Sequence, residues 1–408
     1  MKRGIIGVVA CAAALALAVP ALAVDFSGYG AVRVGTFWTQ NQYYNAAGLR
    51  RSDSDFSLDL FGDSLVGVRV KEGDFSAVAE MGAFNPKAEN KGPEVRLLFG
   101  EWDFGAGKIR VGKAPSPYVY RTQMVWDSDG GMNAYGSLWD GRYAQIKLTM
   151  NNGFYIDLMQ PRAGAAGNNT MNVTSADATA AFSQTGNLYP STAYWNYNTI
   201  MPKIVVGYEG KLDKWTFGGG VSYNMYNLEK YATATATPTK TDIHSYLVFF
   251  HGKVDLAPVE LSYNLFTGRN LGDLMSSAAS AYATSGGGAS YNAYTNANTG
   301  VPTTLSSNTG SYYDVLRDVD SYTYGGWAQI GYTVNPKLKV YAGASYVSDD
   351  NKKTHADERF AAFINAQYQV SKNFKIVPEI GYMNDMYNTG GTKEPRTLEA
   401  GAKWEMSF

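Results

Sequence analysis

Leu398-Glu399-Ala400-Gly401-Ala402-Lys403-Trp404-Glu405-Met406-Ser407-Phe408, the last stretch of the chain, decides the fold. Leu398, Ala400, Ala402, Trp404, Met406 and Phe408 sit at alternate positions, and Thr397, Glu399, Lys403, Glu405 and Ser407 fall on the other parity. Successive residues of a strand face opposite ways, so this segment has one apolar and one polar face. The same two-residue period recurs upstream. Phe360, Ala362, Ile364, Ala366, Tyr368 and Val370 alternate with Arg359, Asn365, Gln367 and Gln369. Phe56, Leu58, Leu60, Val66, Val68 and Val70 oppose Ser57, Asp59, Asp63 and Arg69, and Phe26, Val32 and Val34 oppose Ser27 and Arg33.

Extended along the chain, the pattern predicts sixteen strands: 25–39, 55–71, 75–84, 94–104, 107–115, 141–151, 153–162, 199–210, 213–229, 244–256, 258–270, 318–334, 336–349, 357–371, 373–388 and 394–408. Phase is ambiguous in 94–104, where Glu101 and Asp103 share parity with Val95 and Phe99. It is poor in 244–256 and 318–334. Very short connections, such as Gly105-Ala106 and Asn335-Pro336, alternate without exception with long ones: 40–54, 85–93, 116–140, 163–198, 230–243, 271–317, 350–356 and 389–393. The alternating pattern resumes beyond each long connection, so residues 24–408 read as one domain.

Composition narrows the class. Aromatics make up 14% of the 408 residues and the formal net charge is −1, which argues against disorder and against a nucleic-acid surface. One cysteine excludes a disulfide scaffold. Residues 1–23 read as a signal peptide: Lys2 and Arg3 precede an apolar run from Ile5 to Val19, and Ala21-Leu22-Ala23 gives a small-x-small cleavage site. The only cysteine, Cys11, lies too early in that run for a lipidation box and leaves with the signal. No apolar stretch beyond the N-terminus is long enough for a membrane helix.

Alternating strands build either a soluble sandwich or a barrel whose apolar face meets lipid and whose polar face lines an aqueous lumen. An even strand number, alternating short and long connections, and aromatics near strand ends favour an all-β transmembrane antiparallel barrel. Short periplasmic turns would mark one rim and long external loops the other.

The signal peptide, the alternating last strand and the terminal Phe408 resemble the general porins of Gram-negative outer membranes. The opening Val24-Asp25-Phe26-Ser27-Gly28-Tyr29-Gly30 resembles the porins of metal- and sulfate-reducing bacteria. The resemblance implies a cell outer membrane location among lipid, a homotrimer, and a barrel-assembly signal at Trp404, Met406 and Phe408. It also implies that the third external loop, Ser116–Asp140, folds inward and sets the pore. This loop carries Asp127, Asp129 and Asp140. Parity puts Arg33, Arg69 and Arg110 in the lumen, joined by Arg96 if 94–104 is phased on Val95, Leu97 and Phe99. Pore-constriction residues are therefore Arg33, Arg69, Arg96 and Arg110 facing Asp127 and Asp129, a charge pair that would filter solutes. The bland alternative makes the arginines solvated lumen side chains and the two aspartates an external turn.

Enzymatic constellations are not found. His244, His251 and His355 lack metal-ligand spacing, and no G-x-S-x-G elbow occurs. No catalytic residues, metal site or cofactor are assigned. The function expected is passive diffusion of ions and small hydrophilic solutes. A substrate-selective channel is one alternative, and a structural sheath or receptor for a partner is another.

Overall fold

The computed structural model describes residues 24–44, 50–82, 93–162, 194–231, 237–274, 313, 318–353, 355–387, 391 and 393–408. The predicted signal segment and most of the long loops lie outside these residues.

Eighteen strand segments form one antiparallel sheet. They are β1 (Asp25–Tyr44), β2 (Arg50–Leu60), β3 (Leu65–Glu72), β4 (Phe75–Gly82), β5 (Glu94–Asp103), β6 (Gly107–Pro115), β7 (Arg142–Met150), β8 (Phe154–Met159) and β9 (Tyr194–Thr199), then β10 (Lys203–Leu212), β11 (Trp215–Tyr231), β12 (Thr239–Leu256), β13 (Val259–Arg269), β14 (Tyr322–Asn335), β15 (Leu338–Asp350), β16 (Asp357–Ser371), β17 (Phe374–Tyr387) and β18 (Arg396–Ser407). Segments β2 and β3 lie end to end along β1, and β9 and β10 lie end to end along β11. The sheet thus has sixteen staves. It closes where β1 pairs with β18, from Ala31 opposite Ser407 to Gln42 opposite Arg396. Closure leaves no unpaired edge, which is what a bilayer demands of strands.

The even positions of β1 and β18 face outward: Phe26, Val32, Trp38, Leu398, Trp404 and Met406 are all exposed. Near the rim that carries the tight turns, stacked rings form an outer belt, with Phe75 on Trp102 at 6.1 Å and Phe374 on Trp404 at 6.4 Å. Rings with an apolar body suit that level of a membrane. The terminal Phe408 and Gly30 exchange two backbone hydrogen bonds of 3.0 Å, so the last residue completes the seam.

Two departures from strict alternation have physical causes. The expected strand 55–71 breaks at residues 61–64. There Phe61 turns inward, 4% exposed, and stacks on Phe37 at 6.3 Å. Gly35 permits this, because a Cβ at that position would lie 2.1 Å from the Phe61 ring. Strand β5 carries a bulge: Glu80 pairs with Leu97 but Met81 pairs with Val95, leaving Arg96 as the extra residue. Parity inverts across it, so Val95 and Leu98 are exposed while Phe99 packs under the inward Arg110 guanidinium. Arg96 does face inward, but Leu97 and Phe99 do not face lipid as its expected phase required.

Candidate functional site

The connection Ser116–Asp140 lies within the barrel, and its two ends are tied at one point. Asp140, fully buried, accepts hydrogen bonds from Ser116 Oγ at 2.8 Å and Tyr118 Oη at 2.6 Å. It also pairs with the buried Lys203 ammonium of β10 and, at 3.2 Å, with Arg162. Burial and the adjacent Asp140 carboxylate raise the Tyr118 hydroxyl well above its ordinary pKa, so it remains a donor.

The middle of the loop is pinned to the inner wall. Glu379 of β17 accepts the backbone N–H groups of Val125 and Trp126 at 2.8 Å each, and Asn365 Nδ2 at 2.8 Å. Gln123 bonds Gln329 of β14 and Gln367 of β16. Trp327 Nε1 donates to the Tyr120 carbonyl at 3.2 Å, and the two rings stack at 5.5 Å. The return leg sits on β14 and β15. Gly136, with φ of +124°, lies so close that a Cβ would meet the Gly326 and Tyr346 carbonyls at 2.7 and 2.8 Å.

This docking accounts for the poor phase of β12 and β14. Leu247 and Phe249 face inward because they pack on Tyr118 and Leu138, and Trp327 faces inward beneath Tyr120. Their apolar partner is the loop rather than lipid.

At the far end, a single helical turn, α1 (Trp126–Asp129), delivers Asp129 to the wall. Lys403 Nζ binds both its oxygens, at 2.7 and 2.9 Å, and Arg33 Nε lies at 3.8 Å. Arg33 also pairs with Asp63 at 3.2 Å and Glu405 at 2.8 Å. Asp63 comes from the break between β2 and β3, so that inward turn supplies a charge as well as a ring. Arg96 pairs with Glu80 at 2.8 Å.

Of the residues expected at a constriction, Arg33 and Asp129 come together, and Arg96 lies close by. Arg69 stacks over Tyr29 at 4.4 Å and Arg110 pairs with Glu101 at 2.8 Å. Both lie toward the tight-turn rim, and among the described residues neither pairs with a loop acid. The Asp127 side chain lies outside what is described. Trp404, Met406 and Phe408 all point outward.

Strand parity carried no information on the charges of the loop itself. Arg121, on the loop, and Arg142, the first residue of β7, place their guanidiniums 4.2 and 5.0 Å from the centroid of Trp139. Burial lowers the pKa of Arg121 from its ordinary value, against the pull of Asp129 and Asp63.

No family model and no curated protein matches the chain. Solved structures do match its fold. The outer-membrane channel DcaP of Acinetobacter baumannii superposes with a TM-score of 0.60 at 12% identity, over 95% of this chain and 99% of that one. OmpF of Salmonella typhi, solved with daunomycin, gives 0.52 at 12% over 95% and 99%. The trimer form of OmpT, an outer membrane protein of Vibrio cholerae, gives 0.50 at 13% over 95% and 100%.

Proposed function

We propose that this chain is a porin: a passive diffusion channel of the cell outer membrane, reached by export and signal cleavage near Ala23. It passes ions and small hydrophilic solutes. One observation carries the reading. A loop with its own acid, Asp129, lies inside a closed sixteen-stave barrel and meets the basic wall residues Arg33 and Lys403 there. A barrel of this strand number is wide enough for an aqueous path beside such a loop. Opposed charges on loop and wall set up a field across the path, which filters solutes by charge as the loop filters them by size.

In this reading Arg33, Arg96 and Asp129 act at the constriction, with Asp127 on the same turn. Arg69 and Arg110 act as charged wall nearer the periplasmic mouth. No catalytic step is assigned to any residue. The homotrimer is proposed by analogy with the trimer form of the Vibrio cholerae structure. Trp404, Met406 and Phe408, exposed on the last strand, serve as the barrel-assembly signal.

The test is single-channel conductance of the purified protein in a planar bilayer, with reversal potential in a potassium chloride gradient. Stepwise openings in groups of three are expected. Folded, heat-modifiable barrels that pass no current would overturn the channel and favour a barrel filled by a partner.

A further inference from the structure

The outer face of the barrel carries a polar pocket at the end away from the tight turns. Its volume is about 210 Å³, and Gln42, Arg50, Asn384, Lys393, Glu394 and Arg396 line it. Register puts it on the lipid-facing side. Gln42 pairs with Arg396, Tyr44 with Arg50 and Asn384 with Arg396, and none of these ladders shifts between there and the exposed Trp38, Phe56, Ile380 and Leu398. Gln42, Arg50, Asn384 and Arg396 therefore share the outward parity across adjacent staves. Two guanidiniums converge there on one neutral atom: Arg396 Nε donates to Gln42 Oε1 at 2.7 Å, and Arg50 Nη2 donates to the same oxygen. No carboxylate among the described residues forms an ion pair with Arg50, Lys393 or Arg396. Glu394 is the acid of the lining, and its charge also acts on Arg359 and Tyr135 inside the barrel.

Height decides what can reach these cations. Met406 belongs to the exposed apolar face near the tight-turn rim, and Arg396 stands ten residues further up β18. At about 3.3 Å per residue and a tilt of about 40°, that is a rise of about 25 Å. The apolar band of a transmembrane barrel is about that tall, so the pocket lies where the hydrocarbon of the outer leaflet ends and its headgroups begin. Charges at that boundary are less screened than in bulk water, and two guanidiniums around a neutral oxygen gain from an anion. Each spends one N–H on Gln42, and the rest of its planar fork matches two oxygens of a phosphate. Three cations against one acid disfavour the ammonium of a zwitterionic phospholipid. The amide nitrogens of Gln42 and Asn384 suit sugar hydroxyls beside the phosphate.

We infer that this pocket binds the phosphate of a phosphorylated glycolipid of the outer leaflet, with Arg50 and Arg396 on the phosphate oxygens and Lys393 as a further charge. The acyl chains of that lipid lie below, against the exposed Leu398, Phe56 and Ile380. The inference rests on the outer-membrane placement proposed above, and not on the passage of solutes. It makes the lipid a staple. Strands β1 and β18 are the ones that close the barrel, and one headgroup held across β2, β1, β18 and β17 ties that seam from outside. A ligand that binds only the folded barrel raises its stability.

The experiment titrates the barrel, refolded free of lipid in detergent, with bis-phosphorylated lipid A. Native mass spectrometry follows binding, and the thermal unfolding midpoint follows stability. One lipid A per chain should bind saturably and raise the midpoint. Arg50→Gln and Arg396→Gln should each weaken binding about tenfold, the loss expected for one charge-assisted contact. Lys113→Gln is the control for charge alone. Lys113 pairs with the exposed Leu98 on the outer face of β6, away from the seam, and its loss should leave binding unchanged.

Dephosphorylated lipid A that binds as tightly overturns the phosphate contact. Inorganic phosphate that binds alone as tightly overturns the lipid in favour of a plain anion site. Unchanged binding in both arginine variants, or equal weakening in Lys113→Gln, overturns the pocket in favour of diffuse attraction to the wall. Membrane fractionation tests the placement separately: a chain absent from the outer membrane ends that reading, while the detergent titration decides the pocket. Heat-modifiability on gels confirms that each variant is folded.

Discussion

Glu379→Ala should unseat the middle of the inward loop. In the wild type this carboxylate accepts the N–H groups of Val125 and Trp126 and the side-chain amide of Asn365, all at about 2.8 Å. Alanine leaves two buried backbone donors without an acceptor, while the Asn365 amide keeps its bond to the Gln123 carbonyl. A buried donor stripped of its partner costs about 1–3 kcal/mol. Lumen water entering the vacated space recovers part of this, so the docked loop loses about 2–4 kcal/mol in total. At 1.4 kcal/mol per decade, the docked-to-undocked ratio falls roughly 30- to 700-fold. Two assays read the change. Single channels should become noisier, with excursions to higher conductance as the loop leaves the wall. Trypsin, which reaches Arg121 poorly while the loop is seated, should cut there in the variant. Glu379→Gln, which keeps one oxygen acceptor, should fall between. A Glu379→Ala barrel with wild-type noise, conductance and trypsin resistance would refute the claim that this carboxylate holds the loop.

Other consequences are equally open to measurement. Asp140→Ala leaves Lys203 buried without its counter-ion and should cost about 3–5 kcal/mol, seen as a lower unfolding midpoint in detergent. Lys203→Met, which removes the orphaned charge as well, should restore much of that loss in the double variant. Gly136→Ala places a methyl against two backbone carbonyls in a left-handed conformation; we expect the return leg to lift from β14 and β15, raising single-channel conductance. Arg33→Gln removes a wall charge 3.8 Å from Asp129 and should move the reversal potential toward cation preference, whereas Arg69→Gln, at a residue that pairs with no loop acid among the described residues, should move it less. Deleting Phe408 removes the two backbone bonds to Gly30 and should lower the yield of heat-modifiable barrels from the outer membrane.

The alternation of Leu398 to Phe408 was enough to read the class of fold, because lipid and lumen impose opposite polarity on successive residues. The sixteen staves follow from the same rule. Arg33 and Asp129 were also readable, one from parity and the other from its place on the third long connection. The rule failed where its premise failed. Strand parity assumes that everything inside the barrel is wet, yet Leu247, Phe249 and Trp327 face a docked loop. Their apolar inner faces blurred the period of β12 and β14. The bulge at Arg96 shifted the phase of β5 by one residue, and no local signal gave its position. Asp63 was read as one more polar position of a continuous strand, because the inward turn of Phe61 depends on the space left by Gly35, distant in sequence. Arg121 escaped notice because it lies on the loop, and Arg142 because on β7 it shares the parity of the outward-facing Ile146. Trp139 between them was visible only as one more loop aromatic.

The bond between Ser116 and Asp140 closes the loop into a hoop whose neck is held by Lys203. Force applied to its far side by a passing solute is carried to that suspension point on β10, and to the Glu379 and Lys403 fastenings, all of them below the outer rim. Arg162 and Leu274, at the roots of two long connections, touch the same point: Arg162 pairs with Asp140 at 3.2 Å, Tyr118 Oη donates to the Leu274 carbonyl, and the Leu274 side chain packs in one cluster with Leu138. A phage protein, an antibody or a polysaccharide that pulls on those roots therefore has a lever on the hoop.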